Sequence, residues 1–219
     1  MERSASRQPD LRAAGEEVGL RVGEVELAGR LTAPEGASGL VVFAHGSGSS
    51  RHSPRNRYVA EMLHRAGFAT LLFDLLTAAE EPQRAHVFDI ELLADRLAEV
   101  TRQARRGYGR VGYFGASTGS AAALWAAADP DADIAAVVSR GGRPDLAAAR
   151  LGAVRAPTLL IVGGADTVVL ELNRQAQAMM RCPTELAVVP GAGHLFEEQG
   201  ALAAVAGQAR DWFVHHAFG

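Results

Sequence analysis

The chain has 219 residues, of which 48% are hydrophobic and 21% are charged. That composition is ordinary for a single globular domain and argues against disordered and fibrous classes. A formal charge of −3 without any basic run argues against a nucleic-acid partner.

The ends of the chain and its single cysteine bear on its compartment. Residues 1–17 form a polar tail of mixed charge without the apolar core of a secretory signal, and residues 18–219 are expected to form one domain. No apolar run approaches the roughly 18 residues that cross a bilayer, so no membrane partner is expected. Cys182 permits no internal disulfide, which fits a reducing compartment. We therefore expect a cytoplasmic protein.

The predicted elements begin with a hairpin and continue as alternating strands and helices. Strands at residues 18–22 and 25–31 flank a turn at Gly23. In chain order there follow strand 40–44, helix 54–66, strand 68–73, loop 74–86, helix 90–106, strand 111–114, helix 120–128, strand 134–138, helix 145–150, strand 158–162, helix 169–180, strand 185–189 and helix 197–216. This alternation predicts an α/β fold with a mostly parallel sheet covered by helices on both faces.

A Gly-x-Ser-x-Gly motif marks the candidate nucleophile. Gly115-Ala-Ser117-Thr-Gly119 lies between a predicted strand and a predicted helix. A sharp turn there exposes the serine of a nucleophile elbow, and the glycines avoid clashes with the neighbouring strand and helix. The structural alternative is a serine that caps the helix.

A serine nucleophile needs a base and a group that orients the base. In enzymes with this elbow the chain order is serine, then an acid, then histidine, each after a strand. Asp166 and His194 follow apolar strands that run into glycines, in that order. Taken singly, Asp166 could instead cap a helix, and His194 could be one of seven unremarkable histidines.

Acyl transfer also needs two hydrogen-bond donors for the developing oxyanion. We predict the backbone N–H of Thr118, directly after the nucleophile, and that of Ser47 in the glycine-rich loop after strand 40–44. His45 also ends that strand, but it precedes Ser117 in the chain, so a role in this loop or at the substrate is predicted instead. The Walker pattern and the dinucleotide fingerprint are both absent from the loop.

From about residue 18 the chain resembles the dienelactone hydrolase-like branch of the α/β-hydrolase superfamily. The stretch Ala44-His-Gly-Ser-Gly-Ser-Ser-Arg-His-Ser-Pro-Arg-Asn-Arg57 carries much of the resemblance. The resemblance implies an eight-stranded core, a compact site and no cofactor. Dienelactone hydrolases have a cysteine at the elbow where this chain has Ser117, which favours ordinary ester hydrolysis.

These observations predict a serine hydrolase that cleaves a small-molecule carboxylic ester or lactone. An acyltransferase with the same triad and a non-catalytic binding protein of the same fold are the alternatives. Between Ser139 and Thr158 there is room for one short helix, so little or no cap is expected. No residues have the spacing of a metal site, so neither a metal nor a cofactor is expected.

Several arginines follow strands at the edge of the sheet where the triad is expected. They are Arg51, Arg55, Arg57, Arg140 and Arg143. Ligands of open α/β sheets bind beyond the carboxyl ends of the strands, so Arg51, Arg140 and Arg143 are candidates for binding an anionic substrate. The alternative is that they are solvated or paired with acids such as Asp74, Glu80 and Asp145.

Overall fold

The structure, a computed structural model, describes residues 15–37 and 39–218. They form one eight-stranded sheet in the order β1-β2-β4-β3-β5-β6-β7-β8. The strands are Glu16–Val22 (β1), Val25–Thr32 (β2), Leu40–Ala44 (β3), Ala69–Phe73 (β4), Val111–Ala116 (β5), Val137–Arg140 (β6), Thr158–Gly163 (β7) and Thr184–Val189 (β8). Strand β2 is antiparallel to β1 and β4. The six strands β3 to β8 are parallel to one another. The predicted leading hairpin and mostly parallel sheet are confirmed.

Helices cover both faces of the sheet. They are Pro54–Arg65 (α1), Arg84–Val87 (α2), Ile90–Ala104 (α3), Thr118–Ala127 (α4), Thr167–Met179 (α5) and Ala201–Phe213 (α6). A 3-10 helix spans Pro144–Ala153 and a π-helical turn spans Val214–Phe218. Helices α1 and α6 pack against each other on one face, and α3 and α4 pack together on the other.

Burial on two sides explains why the central strands are apolar throughout. Every residue of β3, β4, β5, β6 and β7 is buried. A strand covered by helices on both faces has no solvent side, so its sequence does not alternate between apolar and polar residues. The result is two large hydrophobic clusters, one on each face of a shared sheet.

The structure corrects several predicted boundaries at the two ends of the chain. Strand β1 begins at Glu16, so Glu16 and Glu17 belong to the strand and not to the tail; they are exposed. The remaining tail prediction, for residues 1–14, lies outside the described residues. The last helix begins at Ala201 and not at residue 197, because Gly200 before it has a left-handed φ of 80°. It gives way to the π-helical turn after Phe213.

Other corrections lie around the site. Strand β6 covers residues 137–140 and not 134–138, since its polar residues Ser139 and Arg140 are buried and pair with both neighbouring strands. Helix α4 starts at Thr118, directly after Ser117. The region predicted as loop 74–86 contains the start of the short helix α2.

The segment between β6 and β7 contains the 3-10 helix and no inserted subdomain among the described residues. The carboxyl ends of β5, β7 and β8 therefore stand without a cap. Of the helices that the structure describes, none has both the length and the apolar character that crossing a membrane requires.

Candidate active site

Ser117 stands on a strained turn between β5 and α4. Its backbone has φ 51° and ψ −121°, a conformation that side-chain-bearing residues seldom adopt. The turn requires glycine at position 119. Gly119 lies against the carbonyl groups of Ala44 and His45, where a Cβ atom would clash. Gly46 also lies close to the turn, since a Cβ there would be 2.9 Å from the Ser117 Cβ. The sequence thus forms a sharp elbow against the end of β3.

Asp166 and His194 form a hydrogen-bonded pair. Asp166 follows β7, His194 lies in the loop after β8, and their Oδ2 and Nδ1 atoms are 2.7 Å apart. The Asp166 side chain is 16% exposed and that of His194 is 39% exposed. A neutral imidazole that donates from Nδ1 keeps the lone pair of Nε2 available as a proton acceptor.

Residues 140–143 connect Ser117 with the histidine. The Ser117 N–H donates to the Arg140 carbonyl, and the Arg143 N–H donates to the Ser117 carbonyl. A Cβ at Gly141 would lie 3.5 Å from the His194 ring. Among the described residues no hydrogen bond joins Ser117 Oγ to His194. Such bonds are often long before substrate binds, so their absence does not argue against the pair.

Ser117 and Asp166 both occupy the position that caps a helix, yet neither side chain makes a capping hydrogen bond. Ser53 and Asp89, at the same position of α1 and α3, do cap their helices. The capping explanation for Ser117 and Asp166 is therefore wrong, and the Asp166 side chain binds His194 instead.

His45 lies at the foot of the glycine-rich loop and uses both ring nitrogens. Its Nε2 accepts a hydrogen bond from the Leu75 N–H at 3.1 Å, and its Nδ1 lies 3.0 Å from the Gly46 carbonyl. Burial lowers the pKa of His45, which keeps the ring neutral. With no free lone pair, His45 holds the loop in place and is not available as a base.

The two predicted oxyanion donors lie close together but are not equally free. The Ser47 N–H donates to the side-chain hydroxyl of Thr118, with 2.8 Å between nitrogen and Oγ1. Thr118 is buried, with 3% of its surface exposed. No local sequence pattern indicates this bond, because the two residues are 71 positions apart.

The three candidate arginines differ in their partners. Arg51 pairs with Asp74, and Arg143 pairs with Asp145 through two hydrogen bonds of 2.9 and 2.8 Å. Arg140 is 7% exposed and makes no salt bridge among the described residues.

The guanidinium group of Arg140 lies 3.4 Å from Asn56 Oδ1 and 5.9 Å from the centre of the Phe196 ring. Its Nε is buried and has no hydrogen-bond partner among the described residues. Burial, and then repulsion by Arg55, lowers the pKa of Arg140 to about 10, so the side chain remains protonated at neutral pH.

Sequence reasoning missed two side chains that support the site. Asn173, buried on α5, donates from Nδ2 to the Gly142 carbonyl at 3.0 Å and so fixes the 140–143 segment. Arg96 of α3 is 6% exposed and binds Glu80 and the Leu75 carbonyl. A charged residue on the apolar side of a predicted helix was the available signal for Arg96.

A cavity of about 340 Å³ adjoins the glycine-rich loop after β3. It is lined by residues 45–50 and Thr118 and by the apolar side chains of Leu75, Leu76, Val87 and Leu93. Glu81, an exposed residue, is the one charged side chain among its described lining residues. The cavity thus reaches Thr118, the residue directly after Ser117, with a mostly uncharged lining.

The family model described as the alpha/beta hydrolase fold matches residues 39–151, about half of the chain. The chain belongs to the α/β-hydrolase family. Within this family it is dienelactone hydrolase-like. A dienelactone hydrolase from Anabaena variabilis is 53% identical, with a TM-score of 0.89 over 94% of this chain and 99% of that chain. The predicted family and fold class are confirmed.

Other relatives of this α/β-hydrolase differ in length or are more distant. Two Mycobacterium tuberculosis proteins, from different strains, carry the provisional name phosphoribosyl transferase. Each is 63% identical over 98% of this chain, which spans 49% of their length. An esterase from Pyrococcus furiosus is 19% identical, with a TM-score of 0.77 over 96% of this chain and 94% of that chain, and shares the fold.

Proposed function

We propose that this α/β-hydrolase cleaves a small carboxylic ester or lactone through an acyl-enzyme on Ser117. The observation that carries the proposal is the side-chain arrangement at two helix starts. Ser117 and Asp166 stand at capping positions without capping, and Asp166 instead binds Nδ1 of His194. A carboxylate that orients a histidine and a serine exposed on a strained turn are the two parts that serine acyl transfer requires.

The reaction would use these groups in two similar steps. Neutral His194 Nε2 takes the Ser117 hydroxyl proton while Oγ bonds to the acyl carbon, and the carbonyl electron pair moves onto its oxygen. When this intermediate collapses, the imidazolium gives its proton to the leaving alcohol. Water then attacks the acyl-enzyme in the same way and releases the acid.

The acyl group is proposed to occupy the cavity lined by Thr118, Ser47 and several apolar side chains. The substrate is further proposed to carry a negative charge outside that cavity. Arg51 and Arg143 already have carboxylate partners, whereas Arg140 is a buried cation that no described carboxylate neutralises. A buried charge is costly unless it is paired, so an acidic group on the ligand would supply the partner.

The phosphoribosyl transferase name of the M. tuberculosis relatives is not extended to this chain. Those proteins are about twice as long as the part that matches. We propose hydrolysis for the matched part because the strained serine and the Asp166–His194 pair serve acyl transfer and have no evident use in phosphoribosyl transfer.

The proposal is tested with Ser117→Ala. We expect a loss of p-nitrophenyl ester hydrolysis of about 10⁴-fold or more, because the nucleophile is removed. Labelling by a fluorophosphonate probe should disappear in the same variant. Ser120→Ala is the matched control, since Ser120 lies three residues along the chain and its buried Oγ has no hydrogen-bond partner in the described part of the chain. Substantial turnover or labelling by Ser117→Ala would refute the assignment.

A further inference from the structure

The hydrogen bond between Ser47 and Thr118 raises a question about the oxyanion hole. An oxyanion hole needs donors that are free to point at the developing negative charge. The Ser47 N–H is instead 2.8 Å from Thr118 Oγ1 and donates to it. As long as that bond persists, one of the two expected backbone donors is unavailable to substrate.

The Thr118 hydroxyl itself has a proton to give. An oxygen that accepts the Ser47 N–H still carries its own O–H. Among residues 15–37 and 39–218, no hydrogen bond has this O–H as its donor, although Thr118 is 3% exposed. The residue also lines the cavity beside the elbow, so its hydroxyl has a space into which to direct the proton.

We propose that the Thr118 side-chain hydroxyl, held by the Ser47 N–H, donates the second hydrogen bond to the oxyanion. The inference rests on the proposed serine hydrolysis. In the addition step Ser117 Oγ bonds to the acyl carbon, its proton passes to His194, and the carbonyl electron pair moves onto oxygen. The backbone N–H and the O–H of Thr118 then both bind that oxygen.

Two physical features favour the hydroxyl as a donor. An O–H group that accepts a hydrogen bond from an amide is polarised and becomes a stronger donor. The hydroxyl is also fixed before substrate arrives, because Ser47 holds Oγ1 and Thr118 is buried in the first turn of α4. A fixed donor needs no reorganisation as charge develops, and that is the condition under which an oxyanion hole is effective.

The test compares Thr118→Val with Thr118→Ser. Valine keeps the shape of the side chain, removes the hydroxyl and leaves the Ser47 N–H free. We expect Thr118→Val to lower kcat for p-nitrophenyl acetate by roughly 10² with KM changed less than about threefold, since losing one oxyanion donor costs 10²–10³ in rate. Thr118→Ser keeps the donor and should stay within about threefold of the wild type.

Thr167→Val is a matched control, because Thr167 is an exposed residue at the first position of α5 and equally follows a residue of the proposed triad. Its kcat should match that of the wild type. Thermal melting of all three variants separates a catalytic loss from unfolding. If Thr118→Val also lowers stability, the rate of Thr118→Ser still tests the inference. A near-wild-type rate in the Thr118→Ser variant together with a large loss in the Thr118→Val variant would show that the hydroxyl is required.

Fluorophosphonate labelling tests the inference without the natural substrate. Phosphonylation of Ser117 also places an oxygen in the oxyanion hole, so Thr118→Val should slow labelling about as much as ester turnover. Wild-type or faster rates in Thr118→Val would overturn the inference and identify the Ser47 N–H as the donor, with the hydroxyl as an obstacle. If the wild type is not labelled at Ser117 at all, the proposed function fails first.

Discussion

At the scale of single residues, Arg140 is the side chain whose surroundings most favour the binding of an anionic ligand. It is the last residue of β6, its carbonyl accepts the Ser117 N–H, and its side chain has Asn56 and Phe196 as polar and aromatic contacts. Arg55 adds a second positive charge nearby and is itself only loosely paired, 3.4 Å from the exposed Glu197. An anionic group on the substrate would relieve this repulsion.

Replacing Arg140 by Met is therefore expected to act on charged substrates selectively. A hydrogen bond to a charged group contributes about 1.5–3 kcal/mol, so kcat/KM for an acidic ester should fall roughly 10- to 100-fold. A neutral ester of similar size should change less than about threefold. The measurement compares the p-nitrophenyl monoester of succinic acid with p-nitrophenyl butyrate.

Arg51→Met is the matched control for this comparison, because the Arg51 guanidinium is occupied by Asp74. It should affect both esters alike. An equal loss on both esters in Arg140→Met would mean that Arg140 only supports the fold, through Asn56 and Phe196.

At the scale of elements, a chain of contacts links α3 to the glycine-rich loop after β3. Arg96 on α3 binds Glu80 at 2.7 and 2.8 Å and the Leu75 carbonyl at 2.9 Å. The Leu75 N–H in turn donates to His45, which directly follows β3. The loop after β4 is thus fixed at both ends, and with it one wall of the cavity.

The ion pair of this chain makes a prediction about pH. Hydrogen bonds from Arg96 lower the pKa of Glu80 from 4.5 to about 2. Hydrogen bonds from Thr77 also lower this pKa, whereas burial raises it. Because the folded-state pKa is the lower one, the stabilisation is complete above pH 4.5 and is lost as the pH falls toward 2. Glu80→Gln should therefore lower the free energy of unfolding by about 1–3 kcal/mol at pH 7.

Urea unfolding at several pH values measures this effect. The difference between wild type and Glu80→Gln should shrink as the pH is lowered from 4.5 toward 2. Glu81→Gln, at an exposed neighbouring position, should change stability by less than about 0.5 kcal/mol. A difference at Glu80 that is independent of pH would mean that the carboxylate charge is not what stabilises the loop.

Elements were predictable where local composition decides them, and contacts between distant segments were not. Strand β3 and the order of Ser117, Asp166 and His194 follow from apolar runs that end in glycines. The extent of β6 did not follow, because its pairing with β5 and β7 buries two polar residues that the pattern excludes. The bond between Ser47 and Thr118 depends on β3 and β5 being neighbours, which no local pattern specifies.

At the scale of the whole molecule, the two faces of the sheet share the same strands. In β3, for example, Val42 belongs to the cluster on one face and Val41 to the cluster on the other. If the shared strands unfold on one face of the sheet, the apolar side chains of the other cluster become exposed as well. The described residues are therefore expected to unfold as one cooperative unit.

The two tryptophans of the chain report on opposite faces and test that cooperativity. Trp125 on α4 packs against one cluster, and Trp212 on α6 is buried in the other. In Trp125→Phe and in Trp212→Phe, fluorescence then follows one face alone, while far-UV circular dichroism follows the whole fold. Within each variant the two signals should give the same urea midpoint, because both faces share the sheet. A fluorescence midpoint clearly below the circular dichroism midpoint in either variant would show that its face opens separately.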